Sequence, residues 1–344
     1  MWALIREQLS LALAGEQQSI RPMDPDSEVQ HDFYPIVRQY KSGRVVRFGT
    51  ANPVPAGTDT AGTGVSSRDV VINSSSGLWA RLYLPPLPAG SRDKLPVIMY
   101  YDGGAFVIGS TADEPTHEYL NSLAAGARAL VVSAEYRRAP EHPLPAAHDD
   151  SWEALEWVAS HAAAGAGAEP WLAAHGDLSR VFLAGFSAGG NIAHAMAARA
   201  GARSLGVPIG GLLLIHPYFI GEAPVGPEAT DAALKAWADA FWRFVRPGAA
   251  GPDDPLGNPF SEAAGGSAAR LAAGRVLVCV AEVDALRGRG VWYYESLRAS
   301  GYGGEVELHE SAGEDHVFHY TKPGCEQARL LHARVLRFLR GECL

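Results

Sequence analysis

The sequence predicts an α/β protein built around a largely parallel sheet. Short apolar runs alternate with longer helical patterns along most of the chain, which is how successive β-α-β units read. The segments between the later runs are long enough to hold the crossover helices that parallel neighbours need. Hydrophobic residues are 47% and charged residues 19% of the 344, enough apolar material for a sizeable core and too much for a disordered chain.

Residues 1–30 have no strong period and read as a helix with a flexible lead-in. Ala51–Ser67, rich in Gly, Pro, Thr and Ser, reads as a loop. The first two strands, Val70–Asn73 and Trp79–Leu84, are expected to be antiparallel, because only a short turn through Ser74–Gly77 separates them. The remaining strands are Pro96–Tyr101, Ala129–Tyr136, Arg180–Phe186, Gly211–Tyr218, Arg275–Ala281 and Glu305–Glu310. Trp152, Leu155 and Val158 mark a helix over Asp150–Val158, and the small-residue stretch Ala188–Ala200 reads as another. Within residues 221–259, Leu234, Trp237, Ala238, Phe241, Trp242 and Val245 recur at helical spacing, as in an insertion that covers strand ends. Ala162–Ala168 and Ala263–Ala269 read as surface connections.

The net charge of −9 and the absence of any Lys/Arg cluster argue against a nucleic-acid or anionic-membrane partner. Three scattered cysteines, Cys279, Cys325 and Cys343, make neither a disulfide framework nor a metal motif and suit a reducing compartment. Cys279, inside the apolar run Val276–Val280, is expected to be a buried, inert thiol. Arg6 and Glu7 interrupt the start before a secretory core can form, and no apolar run reaches the roughly 18 residues of a membrane helix. A cytoplasmic protein, with the nucleus also open to it, is the expectation.

The sharpest motif is Gly185-Phe186-Ser187-Ala188-Gly189-Gly190, directly after the apolar run Val181–Ala184 and directly before a helical pattern. Gly-x-Ser-x-Gly at a strand-to-helix junction makes a bend too tight for a Cβ and thrusts the serine hydroxyl outward. A serine near neutral pH needs a base, and the base needs an orienting acid. In this architecture the order is serine, acid, histidine. Asp284 follows one late strand and His316 the next, so they are the acid and base of choice, on the rim where open α/β sheets carry their sites. Glu282 competes for the acid role but fits a local brace better. Asp315 and His319 flank the base, and His142 and His148, in a Pro-rich loop, are expected to make structural hydrogen bonds.

Oxyanion donors are expected from the backbone of Gly103, Gly104 and Ala105, in the loop after Pro96–Tyr101, completed by the N–H of Ala188. Phe106, Val107 and Ile108 beside that loop, Tyr218 and Phe219 after a strand, Trp237, Phe241 and Trp242 from the insertion, and Val317 and Phe318 beside the base are the expected pocket wall, suited to an apolar or aromatic substrate.

These motifs, together with His31-Asp32-Phe33-Tyr34 to Gly43-Arg44-Val45, Tyr136 to Pro143, Asp284-Ala285-Leu286-Arg287 and Gly313 to His319, resemble the plant carboxylesterase family. That family belongs to the hormone-sensitive-lipase-like branch of the α/β-hydrolases and also contains the gibberellin receptor. The resemblance implies an α/β-hydrolase fold with a mostly parallel eight-stranded sheet flanked by helices, in a single domain over residues 1–344. It also implies a cap made by residues 1–45 and 221–259, and a triad of Ser187, Asp284 and His316. A small-molecule ester substrate, no cofactor or metal, and a monomer or weak homodimer follow as expectations. Serine carboxylesterase activity is the leading function; a receptor-like binding protein, and a dehydratase or cyclase of specialised metabolism on the same site, are the alternatives.

The sequence departs from the family at three positions. Asp102 and Ala105 replace the first and last residues of the family's His-Gly-Gly-Gly, and Phe186 replaces an Asp before the nucleophile. Asp102 is expected to turn away from the oxyanion and hydrogen-bond within its loop, because a carboxylate aimed at the oxyanion would oppose its charge.

Overall fold

The computed structural model describes residues 25–49, 52–60, 62–162 and 169–342. Most of the helix and lead-in expected over residues 1–30 lies outside the described residues, as do Cys343 and all but the first residue of Ala162–Ala168. Strands not foreseen begin the described chain: β1 (Val29–Phe33), β2 (Val37–Tyr40) and β3 (Val45–Arg47) form a small antiparallel sheet. They are three to five residues long and largely half-exposed, so no apolar run marks them. Gly43, at φ 89°, makes the turn into β3.

Each of the eight expected runs is a strand of one sheet: β4 (Ser66–Asn73), β5 (Leu78–Leu84), β6 (Leu95–Tyr101), β7 (Leu130–Glu135), β8 (Gly176–Phe186), β9 (Ile209–Ile215), β10 (Arg275–Ala281) and β11 (Glu305–Ser311). Their spatial order is β11-β10-β9-β8-β6-β7-β5-β4. Pairing is antiparallel for β4 with β5 and β5 with β7, and parallel elsewhere. β4 starts earlier than its apolar residues suggest. Its polar Asp69 takes a two-pronged bond from the buried Arg81 of β5 at 2.7 and 2.9 Å, which lets a polar segment join an edge strand. β9 stops earlier than expected, because His216 turns to φ 46° and carries the chain out of the ladder.

The helices are α1 (Glu114–Ala127), α2 (Ala146–Ser160), α3 (Pro170–His175), α4 (Ala188–Ala202), α5 (Ala232–Val245), α6 (Arg287–Ala299), α7 (Phe318–Thr321) and α8 (Glu326–Arg340). Alternate residues of β6 enter two cores: Val97, Met99 and Tyr101 join Leu155, Ile192 and Leu297 of α2, α4 and α6, whereas Ile98 and Tyr100 join Leu120, Leu331 and Val335 of α1 and α8. Both sheet faces are therefore covered, which is why the central strands read as continuous apolar runs. Ala263–Ala269 is not purely a surface connection, since Ala268 is buried where short 3-10 turns pack against α4.

Because β6, β8, β9, β10 and β11 run parallel, the segments that follow their last residues gather on one edge of the sheet. Above that edge, Phe33 of β1 lies 5.1 Å from the rings of both Phe241 and Phe244 and 5.8 Å from Trp237, so aromatic packing joins the small sheet to α5. Phe33→Ala should lower unfolding free energy by about 3 kcal/mol in urea titration; a change below about 0.5 kcal/mol would mean that this cluster does not hold the small sheet.

Candidate active site

Ser187 joins β8 to α4 with φ 52° and ψ −121°, and it is buried. A Cβ on Gly189 would sit 1.9 Å from Tyr101 O, and one on Gly185 2.3 Å from Gly189 O, so the bend closes only with glycine on both sides of the serine. Two backbone bonds fix it: Ser187 N donates to Ile215 O at 2.9 Å, and Tyr218 N donates to Ser187 O at 3.0 Å.

The bend brings Ser187 Oγ to 3.0 Å from His316 Nε2, and His316 Nδ1 lies 2.7 Å from Asp284 Oδ2. Asp284 Oδ1 also accepts from Leu286 N at 2.9 Å. Burial pushes the Asp284 carboxyl up, but the charge and hydrogen bond of His316 outweigh burial and hold it below the usual carboxylate range. Glu282 accepts instead from Gly313 N at 2.7 Å, a local brace for the loop that carries the base.

Two more histidines, His216 and His319, stand within 6 Å of neighbouring rings around His316 and Phe318. Burial pushes His319 down to about 3 and His216 well below its ordinary value, so both are neutral. His216, Asp284 and His316 hold donor atoms within 4.8 Å of one another, the geometry of a metal group. His316 and Asp284 bond each other, and Val317 N donates to His216 Nδ1 at 3.2 Å, while His216 Nε2 is buried without a hydrogen-bond partner.

Gly103, Gly104 and Ala105 curl beside Ser187 and line the same cavity, and Ala188, fully buried, is the first helical residue after the serine. A Cβ on Gly104 would meet Ile108 O at 2.0 Å. Sequence reasoning missed what holds this loop: the buried Tyr136 hydroxyl donates to Asp102 O at 2.8 Å and Gly103 O at 3.0 Å, and Arg47 Nε donates to Val107 O at 2.7 Å. Asp102 does turn away, but its partner is not in the loop: Oδ1 accepts from Thr116 Oγ1 of α1 at 3.0 Å. Phe186 packs at 4.7 Å from the Tyr320 ring and flat against Gly103, where a Cβ would come within 2.3 Å of it. An apolar ring thus fills the position that the resemblance gives to Asp.

The cavity that holds Ser187 and His316 measures about 830 Å³. Of the expected wall, Val107, Ile108 and Val317 line it. The others are corrected: Phe106, Tyr218, Phe219, Trp237, Phe241, Trp242 and Phe318 do not line it. Phe106 turns to Tyr218 and Trp242, Phe219 stacks on Tyr293 at 4.6 Å, Trp237 and Phe241 stack on each other, and Phe318 packs on His216. Large rings near the site gain more by filling the core than by lining a cleft. His142, expected to be structural, lines the cavity with Ile36, Arg47, Phe186 and Tyr320, whereas His148 is buried against Asn191 Oδ1 at 3.0 Å as expected. Cys279 is buried in β10, its thiol pushed up to about 12 by burial.

A family model described as an alpha/beta hydrolase fold matches residues 98–320. The chain belongs to the α/β-hydrolase family. This α/β-hydrolase is 44% identical over 321 residues to tuliposide A-converting enzyme 2, chloroplastic, of Tulipa gesneriana, covering 93% of this chain and 81% of that protein. It is 43% identical to 2-hydroxyisoflavanone dehydratase of Glycyrrhiza echinata, covering 91% of this chain and 96% of that one. It is 42% identical to "probable carboxylesterase 13" of Arabidopsis thaliana, covering 92% and 99%. Among solved structures, a hyperthermophilic esterase from Pyrobaculum calidifontis aligns with a TM-score of 0.62 at 30% identity, covering 80% of this chain and 85% of that one. These relatives set the hydrolase in the plant, hormone-sensitive-lipase-like branch. The tulip protein's name places that protein in a plastid, so the relatives do not support the cytoplasmic expectation. Among the described residues no helix is long and apolar enough to cross a membrane.

Tyr136→Phe leaves the Asp102 and Gly103 carbonyls without their buried donor and should lower stability by about 1–3 kcal/mol in chemical denaturation. An unchanged midpoint would show that the hydroxyl does not hold the loop.

Proposed function

We propose that this carboxylic ester hydrolase works through Ser187 as nucleophile, His316 as general base and then acid, and Asp284 as the group that orients the imidazole and balances its charge. The single observation that supports this reading is the proton path, 3.0 Å from Ser187 Oγ to His316 Nε2 and 2.7 Å from His316 Nδ1 to Asp284 Oδ2. With the proton on Nδ1 and donated to Asp284, Nε2 is free to accept the serine proton as the hydroxyl attacks the ester carbonyl. The tetrahedral oxyanion then takes hydrogen bonds from the amides of Gly103, Gly104, Ala105 and Ala188, each donor being worth about 2.7–4 kcal/mol. The imidazolium returns its proton to the departing alcohol, and water resolves the acyl-enzyme by the reverse sequence. Because His216 and His319 are neutral, no neighbouring cation opposes the imidazolium.

The substrate in this reading is a small neutral ester. Ile36, Val107, Ile108, Phe186 and Val317 make much of the cavity wall apolar. Its cations are already paired, Arg47 with Glu141 at 2.5 Å and Arg138 with Glu135 at 2.6 Å. We read residues 1–45 and 221–259 as its cap in a single-domain chain; for the described part, Phe33 packed on α5 and Ile36 at the cavity support this.

The dehydratase relative favours elimination as a second reading, with the same base taking a carbon-bound proton, the same amides holding the enolate oxygen, and the imidazolium returning that proton to the β-hydroxyl as its C–O bond breaks and water leaves. Product analysis on a β-hydroxy ketone separates the two. For the hydrolase, Ser187→Ala should lower kcat/KM for a short-chain nitrophenyl ester by at least about 10³-fold; a variant within about tenfold of the parent would remove the serine from its role.

A further inference from the structure

Asp102 is among the residues that line the cavity holding Ser187 and His316, with its carboxyl turned toward α1. It is 3% exposed, and Oδ2 lies over Gly109, where a Cβ would approach it to 3.1 Å. The hydroxyl of Thr116 on α1 supplies its one hydrogen bond among the described residues. Among the described residues no other side chain donates to it. The Tyr136 hydroxyl on the segment after β7 is spent on two carbonyls, Tyr100 of β6 and Tyr320 of α7 bond each other at 2.8 Å, and Tyr83 of β5 bonds His117. The charged neighbours are Arg138, whose Nη1 pairs with Glu135 and whose Nε is buried without a hydrogen bond to Asp102 or any other group, and the two acids Glu135 and Asp113. An ionised Asp102 would be a buried anion with one hydrogen bond and no cation of its own, the arrangement that favours the protonated acid.

We propose that Asp102 functions as a neutral carboxylic acid, a positioning residue of the oxyanion loop, and that its ionisation at alkaline pH closes the site to turnover. The proposal rests on the Ser187–His316 reading above. A second negative charge in the same cavity opposes the oxyanion that must form at the amides of Gly103, Gly104 and Ala105, whereas the neutral acid does not. Burial is the main reason that this carboxyl is pushed up to about 8; the Thr116 bond and Arg138 pull it down only in part. Asp113, also raised by burial, lines the same cavity and is the rival for any alkaline effect.

Below about 8 the acid is neutral and the site works; above it, the fraction of competent enzyme falls about tenfold per pH unit. In the unfolded chain an aspartate ionises near its usual value of about 3.9, so the folded form holds the extra proton between about 4 and about 8 and loses stability as pH rises through that window.

The test is kcat/KM for p-nitrophenyl butyrate from about pH 6 to about pH 10, on the parent, Asp102→Asn and Thr116→Val, with thermal melts of the same proteins. The parent should decline above about pH 8. Asp102→Asn, a neutral isostere, should lose that decline, so that its ratio of activity at about pH 9.5 to that at about pH 7 exceeds the parent's by at least about tenfold. Thr116→Val, which removes the one bond that favours the anion, should move the decline to higher pH. The melting temperature of Asp102→Asn relative to the parent should rise between about pH 5 and about pH 8. Parallel alkaline declines in parent and Asp102→Asn, or a melting difference that does not change with pH, would overturn the proposal. If the parent hydrolyses no ester at any pH, the Ser187 reading has failed, and the melts still decide the protonation of Asp102.

Discussion

The bend at Ser187 depends on β6 and α4 lying so close that the Gly189 Cα sits against the Tyr101 carbonyl, with no room for a methyl group between them. From that approach the rest of the site follows. The serine is forced to φ 52°, a conformation that costs a non-glycine residue on the order of 1–3 kcal/mol. The end of β9 and the segment after it support the serine from both sides, Ile215 O accepting from the Ser187 amide and Tyr218 N donating to its carbonyl. Ala105, Phe106, His216 and Val317 are also non-glycine residues at positive φ, and each belongs to a loop leaving the same edge of the sheet. Strain is thus gathered where the chain must present polar groups into a small volume, and the two cores beneath the sheet hold it in place.

The electrostatics of the site are those of neutrality enforced by burial. The cationic side chains at the cavity are paired with Glu135 and Glu141, and burial discharges His216 and His319. Asp284 keeps its charge against burial because His316 is its direct partner. In the proposed mechanism the only charges that appear during turnover are then the oxyanion and the imidazolium, a pair that a low-dielectric cavity stabilises far more than water does. Asp102, buried with one hydrogen bond, is the carboxyl beside the oxyanion loop whose charge, in the proposal above, would upset that balance.

The sequence carried the sheet plainly because buried parallel strands are continuous apolar runs, and Pro96–Tyr101 and Arg275–Ala281 needed almost no correction. The proximity of Ser187, Asp284 and His316 was legible as well, since each follows a strand end and parallel strands bring such ends together. Short half-exposed strands such as Val45–Arg47 were not legible, because pairing rather than burial defines them. Nor was the cavity wall. Their places beside the oxyanion loop and in the insertion put Phe106 and Trp242 near the site, but do not show that φ 63° at Phe106 accompanies a ring turned inward to Tyr218. The braces were hidden for a related reason: Tyr136 and Arg47 act on backbone carbonyls, and side chain to main chain bonds across long sequence separations leave no periodic trace.

The central claim is that one serine, and only that serine, is activated by an adjacent imidazole. Stoichiometric labelling of the intact protein with a fluorophosphonate, followed by peptide mass mapping, tests it most directly. The account predicts one adduct per chain, on the peptide spanning 181–199 and at Ser187, blocked when His316 is replaced by glutamine. Labelling spread over several serines, or none at Ser187 in folded protein, would contradict it.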